Sequence, residues 1–346
     1  MRRHFLSIFF LFIIAATSAQ QPDLTMVPYR EGNKWGYASP DKKIIIKPVF
    51  DEAAWFYSGY AAVKKVNRYG YINRSGKLLI PYQFTVAKPF RFGYISNPKT
   101  NKEDTVLFAG ASLQASGYEI CINTKGARMA KCPAINENSV AENRKPDVII
   151  KEKIYSISND SLFDKVIDDY NVSGSNLTYY VGSKNQLFGL FNNQFEVLLP
   201  FEFSMLKRID AGGKTYLLAQ RNGSSGVMNA DGSAFIPLEN SSLQYITARN
   251  GNDYFIVSKE GKTGLKDIAG KDILTQKYAA IDYDGANGFV LTAPGNLKGY
   301  YFLNDQLIEP KYNDVLPVAG GRYLLVKTQS GKTGFVNSGG EEFFVD

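Results

Sequence analysis

A pattern that returns at a nearly fixed interval leaves a chain few folds, because every copy must solve the same packing problem. Here the pattern begins at Asn33-Lys34-Trp35-Gly36-Tyr37 and turns at Pro40-Asp41-Lys42. It continues through Ile44-Ile45-Ile46-Lys47-Pro48 to Phe50-Asp51-Glu52-Ala53 and Tyr60-Ala61-Ala62-Val63. The second copy follows directly, as Arg68-Tyr69-Gly70-Tyr71-Ile72-Asn73-Arg74-Ser75-Gly76-Lys77, then Leu78-Leu79-Ile80-Pro81 and Phe84. Later copies centre on Phe188-Gly189-Leu190, Ser225-Gly226-Val227, Thr263-Gly264-Leu265, Lys298-Gly299-Tyr300 and Thr333-Gly334-Phe335. Adjacent glycines lie between 34 (70 − 36) and 38 (264 − 226) residues apart. Gly70 and Gly189 are 119 (189 − 70) apart, about three periods, so two worn copies belong between them. Ile122-Asn123-Thr124-Lys125-Gly126 supplies one and Tyr155–Ser161, with Ser156 in the glycine position, the other.

Each copy reads as short strands joined by turns. Tyr60–Val66 is rich in strand-forming residues and ends at Asn67-Arg68; Tyr69–Asn73 is a second run. Asn73-Arg74-Ser75-Gly76 has Asn at the first turn position and Gly at the fourth, where a positive φ costs little. Leu78–Pro81 is a third run, expected to end at Pro81 for want of a backbone donor. Ala54–Tyr57 and Met205–Ile209 are expected as fourth runs leading to the next unit. Four short strands in about 36 residues define a propeller blade or an all-β solenoid unit. The expected fold is all-β: about eight to nine four-stranded units, β-propeller-like, with an open solenoid or superhelix as the alternative. Leu24–Tyr29 and Glu342–Val345 would be first and last strands, and sharing one sheet would leave no edge exposed.

The constant glycines, Gly36, Gly70, Gly189, Gly226, Gly264, Gly299 and Gly334, fit a close backbone approach or a bulge. Trp35 and its counterparts fit side chains packed between neighbouring sheets, with ligand stacking as the other reading. The polar residue after the later aromatic (Asp51, Thr85, Ser204 or Asn313) changes chemistry between copies, which fits a local cap rather than a repeated carboxylate site.

The copies at Lys34-Trp35-Gly36-Tyr37 with Phe50-Asp51-Glu52-Ala53, and at Tyr69–Asn73 through Gly76-Lys77, resemble the WG-repeat (KWG-repeat) family. Counting the worn copies, the resemblance spans roughly residues 25–346. It implies β-structured, propeller-like domains of bacterial proteins. The chain departs from the family in keeping Trp only in the first copy, so the resemblance speaks to fold more than to a ligand site.

The first nineteen residues read differently. Met1-Arg2-Arg3-His4 is basic, Phe5–Ala16 is apolar except for Ser7, and Thr17-Ser18-Ala19 offers small residues for cleavage before Gln20. Residues 1–19 are therefore read as a signal peptide cleaved after Ala19, and 20–346 as the repeat domain of an exported protein with no transmembrane segment. Cleavage removes Arg2 and Arg3, taking the net charge from +7 to +5, and His4, the only histidine. A mature chain without histidine excludes Ser-His-Asp and Cys-His nucleophile pairs and the usual zinc sites.

No phosphate-binding loop is found, because segments such as Ala211-Gly212-Gly213-Lys214 sit in hairpin turns. Asp267–Asp272 lacks full calcium-loop spacing. Lys64-Lys65 and Lys207-Arg208 form no stripe that would read nucleic acid. Asp168-Asp169, Glu341-Glu342 and Asp282-Tyr283-Asp284 read as solvated or structural pairs. In register with the second copy, Cys121 faces about residue 128, leaving Cys132 roughly 13 Å along the strand. That exceeds the roughly 7 Å a disulfide spans, so the spacing disfavours a bridge unless the hairpin is bulged. Polar stretches at Asn97–Asp104 and Asn136–Asp147 are expected as the longest loops.

The function these readings favour is a non-enzymatic binding or scaffold module for an envelope protein or glycan, with no cofactor. Trp55, Phe56 and Tyr57 are its candidate ligand-facing aromatics. The alternatives are a structural spacer and a glycan-acting hydrolase or lyase using paired carboxylates.

Overall fold

A computed structural model of the chain describes residues 21–97, 102–114, 118–135, 162–172 and 176–346. The signal segment, the worn copy at Tyr155–Ser161 and the stretch Asn136–Asp147 lie outside the described residues. The described strands form eight antiparallel-rich sheets, so the all-β repeat expected from the sequence is the fold. They fall into two compact units. One comprises residues 21–135 and 343–346 and holds three sheets; the other comprises residues 162–342 and holds five.

The second sheet shows the plan. Glu52–Ala53, Ala61–Lys65, Arg68–Ile72 and Leu78–Phe84 pair in chain order as a meander. Asn73 opens the turn between the third and fourth strands. Its carbonyl accepts the Gly76 N–H at 2.9 Å, while its side-chain oxygen accepts the N–H groups of Ser75 and Lys77 at 3.1 and 2.9 Å. Gly76 sits at φ 81°, as the turn requires. The worn copy at Ile122–Gly126 makes the same turn, with Gly126 at φ 79°. These turns rest on the neighbouring sheet: a Cβ on Gly126 would come within 2.6 Å of the Ile80 side chain.

The constant glycine has a specific job in the pairing. Trp35 faces Phe50 and Tyr37 faces Ile46, so Gly36 alone stands opposite Lys47, Pro48 and Val49. The outer strand bulges there towards the glycine, and a Cβ on Gly36 would lie 2.2 Å from the Ile46 carbonyl oxygen. The same bulge recurs opposite Gly70, Gly189, Gly226, Gly264 and Gly299. The corresponding carbonyl distances there run from 2.4 Å at Gly299 to 2.9 Å at Gly189 and Gly264. After each bulge the strand returns to register and buries a side chain: Phe50, Phe84, Phe203, Asn240, Tyr278 or Tyr312. Gly334 belongs to the three-stranded sheet Asp314–Val318, Tyr323–Lys327, Thr333–Asn337.

Several expectations need correction. Pro81 does not end its strand, which runs on to Phe84. It sits in the bulge, where the ladder asks for no N–H, and Pro48, Pro200, Pro237 and Pro310 sit in the equivalent bulges. Ala54–Tyr57 is not a fourth strand. The pairing stops at Ala53 and the chain loops through a tight Tyr57–Tyr60 turn, with Ser58 at φ 49° and Gly59 at φ 84°. Asn97 and Lys102–Asp104 are not loop: Arg91–Asn97 and Lys102–Ser112 pair as a hairpin, with Asn97 opposite Lys102.

Cys121 and Cys132 are bridged, with Cα atoms 5.3 Å apart. The register of the second copy, in which Ile72 faces Leu78, is kept beside the turn, but the strand does not run straight on to Cys132. Ile122 faces Arg128 and the Met129 N–H donates to the Cys121 carbonyl, after which the chain folds back so that Ala134 pairs with Tyr94. That reversal brings Cys132 beside Cys121.

The chain's two ends share a sheet. Val27–Glu31 pairs antiparallel with Lys34–Ala38 on one side and parallel with Phe344–Val345 on the other. Arg30, only 3% exposed, locks this junction. Its guanidinium donates to the Gly32 carbonyl at 2.5 Å and the Asp346 carboxylate at 2.6 Å, and lies over the Phe344 ring.

The bulge geometry gives a direct test. Gly36→Ala places a Cβ against backbone on the facing strand, which cannot rotate away, so it should destabilise the protein by about 1–3 kcal/mol in equilibrium denaturation. A denaturation midpoint equal to wild type would mean the bulge relaxes without cost.

Candidate functional site

The polar caps proposed from the repeat sit at the crossings between sheets. Thr85 and Ser204 each donate a backbone N–H and a side-chain hydroxyl to one carbonyl of the next sheet, that of Ser112 or Gln220. Asn313 does the equivalent with Lys327 and Thr328. Asp51 accepts from the Val66 N–H at 2.9 Å and pairs with Lys34 at 2.5 Å, and these contacts hold its carboxyl below the usual range.

The paired carboxylates are likewise tied into the frame. Asp168 meets Arg208 at 3.3 Å. Glu341 accepts from the Asn337 amide at 2.8 Å, and Glu342 from the Tyr312 hydroxyl at 2.7 Å and Lys311 at 2.9 Å. In Asp267–Asp272, Asp267 caps its own turn through the N–H groups of Ala269 and Lys271, and Asp272 pairs with Lys266. No group of three or more acidic, histidine or cysteine side chains suited to a metal occurs among the described residues.

The aromatic triplet does not form one exposed patch. Phe56 is completely buried, its ring 4.8 Å from that of Tyr37, so it serves the core and not a ligand. Trp55 and Tyr57 are half-buried. Trp35 is also half-buried and packs on a cluster that spans the first two sheets and includes Tyr37, Phe50 and Val63.

The feature the sequence did not expose is an open cleft of about 400 Å³ in the larger unit. It is lined by turns of three successive sheets. Arg249 and Asn250 come from the turn between Ser242–Thr247 and Asp253–Lys259. Asn287 comes from the turn between Ala280–Tyr283 and Gly288–Thr292, and Arg322 from the turn before Tyr323–Lys327. Asn304 lines it from the third-to-fourth-strand turn of the middle sheet, and Ser338 from the turn after the third strand of the last. Arg249 and Arg322 are the only charged lining residues.

The turns are held from below. Asp284 is the anchor: one carboxylate oxygen accepts the N–H groups of Ala286, Asn287 and Gly288 at 2.8, 2.8 and 3.2 Å, and the other accepts the Tyr300 hydroxyl at 2.5 Å. Burial, then this bond to Asp284, pushes the Tyr300 hydroxyl far above the usual tyrosine range. The Leu303 N–H donates to the Asn287 carbonyl at 3.1 Å, and the Arg249 N–H to the Tyr283 hydroxyl at 2.9 Å. Asp305, next to Asn304, accepts the Tyr301 hydroxyl at 2.5 Å. Before Arg322 the chain passes through three left-handed residues, Ala319, Gly320 and Gly321, at φ 52°, 67° and 79°. A Cβ on Gly321 would fall 2.4 Å from the Asn287 amide, so the glycine leaves room for that side chain at the cleft. The nearby carboxylates therefore face the frame, and neither cleft guanidinium has an ion-pair partner among the described residues.

A signal for the cleft existed in the sequence. Arg249 and Arg322 are 73 residues apart (322 − 249), two repeat lengths, and each lies in the turn after the first strand of its unit. Periodicity reading weights the constant residues, and these two belong to the variable ones.

Comparison with known proteins fits the repeat. The model of the WG containing repeat matches residues 35–68 and 69–96, two consecutive copies, so the chain carries WG repeats there. No curated protein matches the chain. Among solved structures, "Dihydro-heme d1 dehydrogenase NirN in complex with DHE" is 11% identical, with 93% of this chain and 73% of that chain covered and a TM-score of 0.31. "KlHsv2 with loop 6CD replaced by a Gly-Ser linker" is 9% identical over 81% of this chain and 89% of that one, TM-score 0.22. A Mycobacterium tuberculosis puromycin-hydrolysing peptidase is 11% identical over 93% and 59%, TM-score 0.25. At such scores these likenesses carry no argument about what the chain does.

The tyrosine hydroxyls predict the alkaline limit of stability. Burial is the first cause raising Tyr37, Tyr71, Tyr170, Tyr300, Tyr301 and Tyr312, with nearby acidic groups adding to it at all but Tyr37. The folded state thus holds protons that the unfolded chain loses near its ordinary tyrosine value of about 10. Their contribution is complete below about pH 10 and declines as pH rises further. Thermal melts followed by circular dichroism should show a flat midpoint from pH 8 to about 9.5 and a steep fall above 10. Tyr300→Phe should start lower and fall less steeply; a wild-type slope in that variant would contradict the assignment.

Proposed function

We propose that the chain is an exported, non-enzymatic binding module of the cell envelope whose ligand is a glycan. The cleft carries this reading. Its volume suits a small ligand or the end of a larger one. Its walls present guanidinium, amide and hydroxyl groups, which hydrogen-bond sugar hydroxyls, rather than facing carboxylates that could cleave a glycosidic bond. The turns are fixed by backbone and tyrosine contacts before any ligand arrives, which lowers the entropic cost of binding. The Cys121–Cys132 bridge is compatible with an oxidising, exported location, and no helix among the described residues is long and apolar enough to cross a membrane.

The test is a binding screen of purified residues 20–346 against cell-wall and surface glycans, alongside an envelope protein extract. Saturable glycan binding without product formation is the expected result. Glycan turnover would replace this reading with a hydrolase or lyase. Capture of one envelope protein with no glycan binding would make the chain a protein scaffold, and a folded sample that binds nothing would make it a spacer.

A further inference from the structure

The geometry points to an anionic saccharide as the ligand of this cleft: a sugar bearing a carboxylate or phosphate, held by Arg249 and Arg322. The inference rests on the glycan-binding reading and narrows it to a charge class.

Three observations carry it. The first is charge. Two guanidiniums from sheets two repeats apart line one cavity, and no other charged side chain does. Elsewhere in the described residues, basic side chains repeatedly find acids: Arg30 with Asp346, Lys64 with Glu52, Arg221 with Glu202, Lys259 with Glu239 and Lys277 with Glu309. At the cleft the local acids are occupied. Asp284 takes three backbone N–H groups and the Tyr300 hydroxyl, and Asp305 takes the Tyr301 hydroxyl. The arginines therefore keep their donors for an outside oxyanion, for which the planar guanidinium fork is suited.

The second is shape. Ala319-Gly320-Gly321 runs through three successive positive φ values immediately before Arg322. An alanine in that conformation is uncommon, and the run fixes where Arg322 leaves the turn. Gly321 has no Cβ where one would strike Asn287, so the amide and Arg322 can line the same cavity.

The third is the mixture of groups. Asn287, Asn304 and Ser338 add neutral donors and acceptors, while the half-buried Leu303 supplies apolar surface. That combination matches a ring with hydroxyls on its rim, one apolar face and one charged substituent.

The experiment is calorimetric titration of residues 20–346, wild type, Arg249→Gln and Arg322→Gln, with four probes. These are short galacturonate and glucuronate oligomers, glucose 6-phosphate, and neutral glucose oligomers of matching length. Both arginines are exposed, so both variants should fold; matched thermal melts check this. The expected result is that at least one acidic probe binds about tenfold or more tightly than its neutral counterpart, and that each variant weakens it by about tenfold or more. Raising the salt from about 0.05 to 0.3 M should weaken it further. Binding of uronates alone assigns the carboxylate source, and binding of the sugar phosphate alone assigns the phosphate source. Equal affinity for acidic and neutral probes, or undiminished affinity in folded variants, overturns the anionic assignment while leaving glycan binding standing. No binding by any of these probes overturns the anionic assignment, and failure of the wider glycan screen as well removes the glycan reading itself.

Discussion

Six glycines each stand opposite a three-residue bulge in the neighbouring strand, and the regularity of the sheets follows from that contact. Gly36 shows it most sharply, with the Ile46 carbonyl lying where a side chain would begin. Because the outer strand can press onto the glycine, it regains register in time to bury Phe50, and the same happens at Phe84, Phe203, Tyr278 and Tyr312. Phe50, Phe84, Phe203 and Tyr278 belong to the clusters between neighbouring sheets. Remove the close approach and the strand has either to lose its bulge, which slides Phe50 two positions along the ladder from its place opposite Trp35, or to stand away from the core. The prolines in the bulges suit this arrangement, since a residue without an N–H is at no disadvantage where the ladder is interrupted.

A frame built this way puts strand ends at repeated positions and so puts turns at repeated positions. The invariant turns, such as Asn73–Gly76, are spent on packing one sheet against the next. The variable turns, which follow the first strand, are free to differ. In the larger unit they differ towards Arg249, Asn287 and Arg322, and a cleft forms where they meet. Asp284 and Tyr300 show how the frame holds such a turn: a carboxylate inside the loop gathers three amides and is itself fixed by a buried hydroxyl. Structure and proposed recognition thus divide along the repeat, constant positions serving the first and variable positions the second.

The fold was legible because a repeated constraint is written many times. The period, the turn at Asn73–Gly76, the steric reading of the glycine and the shared sheet of the two chain ends all follow from comparing copies. What was not legible is what happens once. Cys132 reaches Cys121 only because the chain folds back after Met129, which no other described copy does. Phe56 looked like a surface aromatic beside Trp55 and Tyr57, yet the chain loops there and drops its ring onto Tyr37. Pro81 was read by its local meaning as a strand breaker, and the bulge overrode it. The cleft arginines are ordinary turn residues 73 apart (322 − 249), and only the stacking of sheets brings them to one cavity.

The central claim is that the frame holds the cleft turns in place before a ligand binds. Amide hydrogen exchange at Ala286, Asn287 and Gly288, read residue by residue in the ligand-free protein, tests it most directly. The account predicts that these amides, bonded to Asp284, exchange at least about 100-fold more slowly than unprotected amides of the same sequence, in step with the strand that begins at Gly288. Exchange at the unprotected rate would show that the turn opens freely, and a preformed site would then be the wrong description of this cleft.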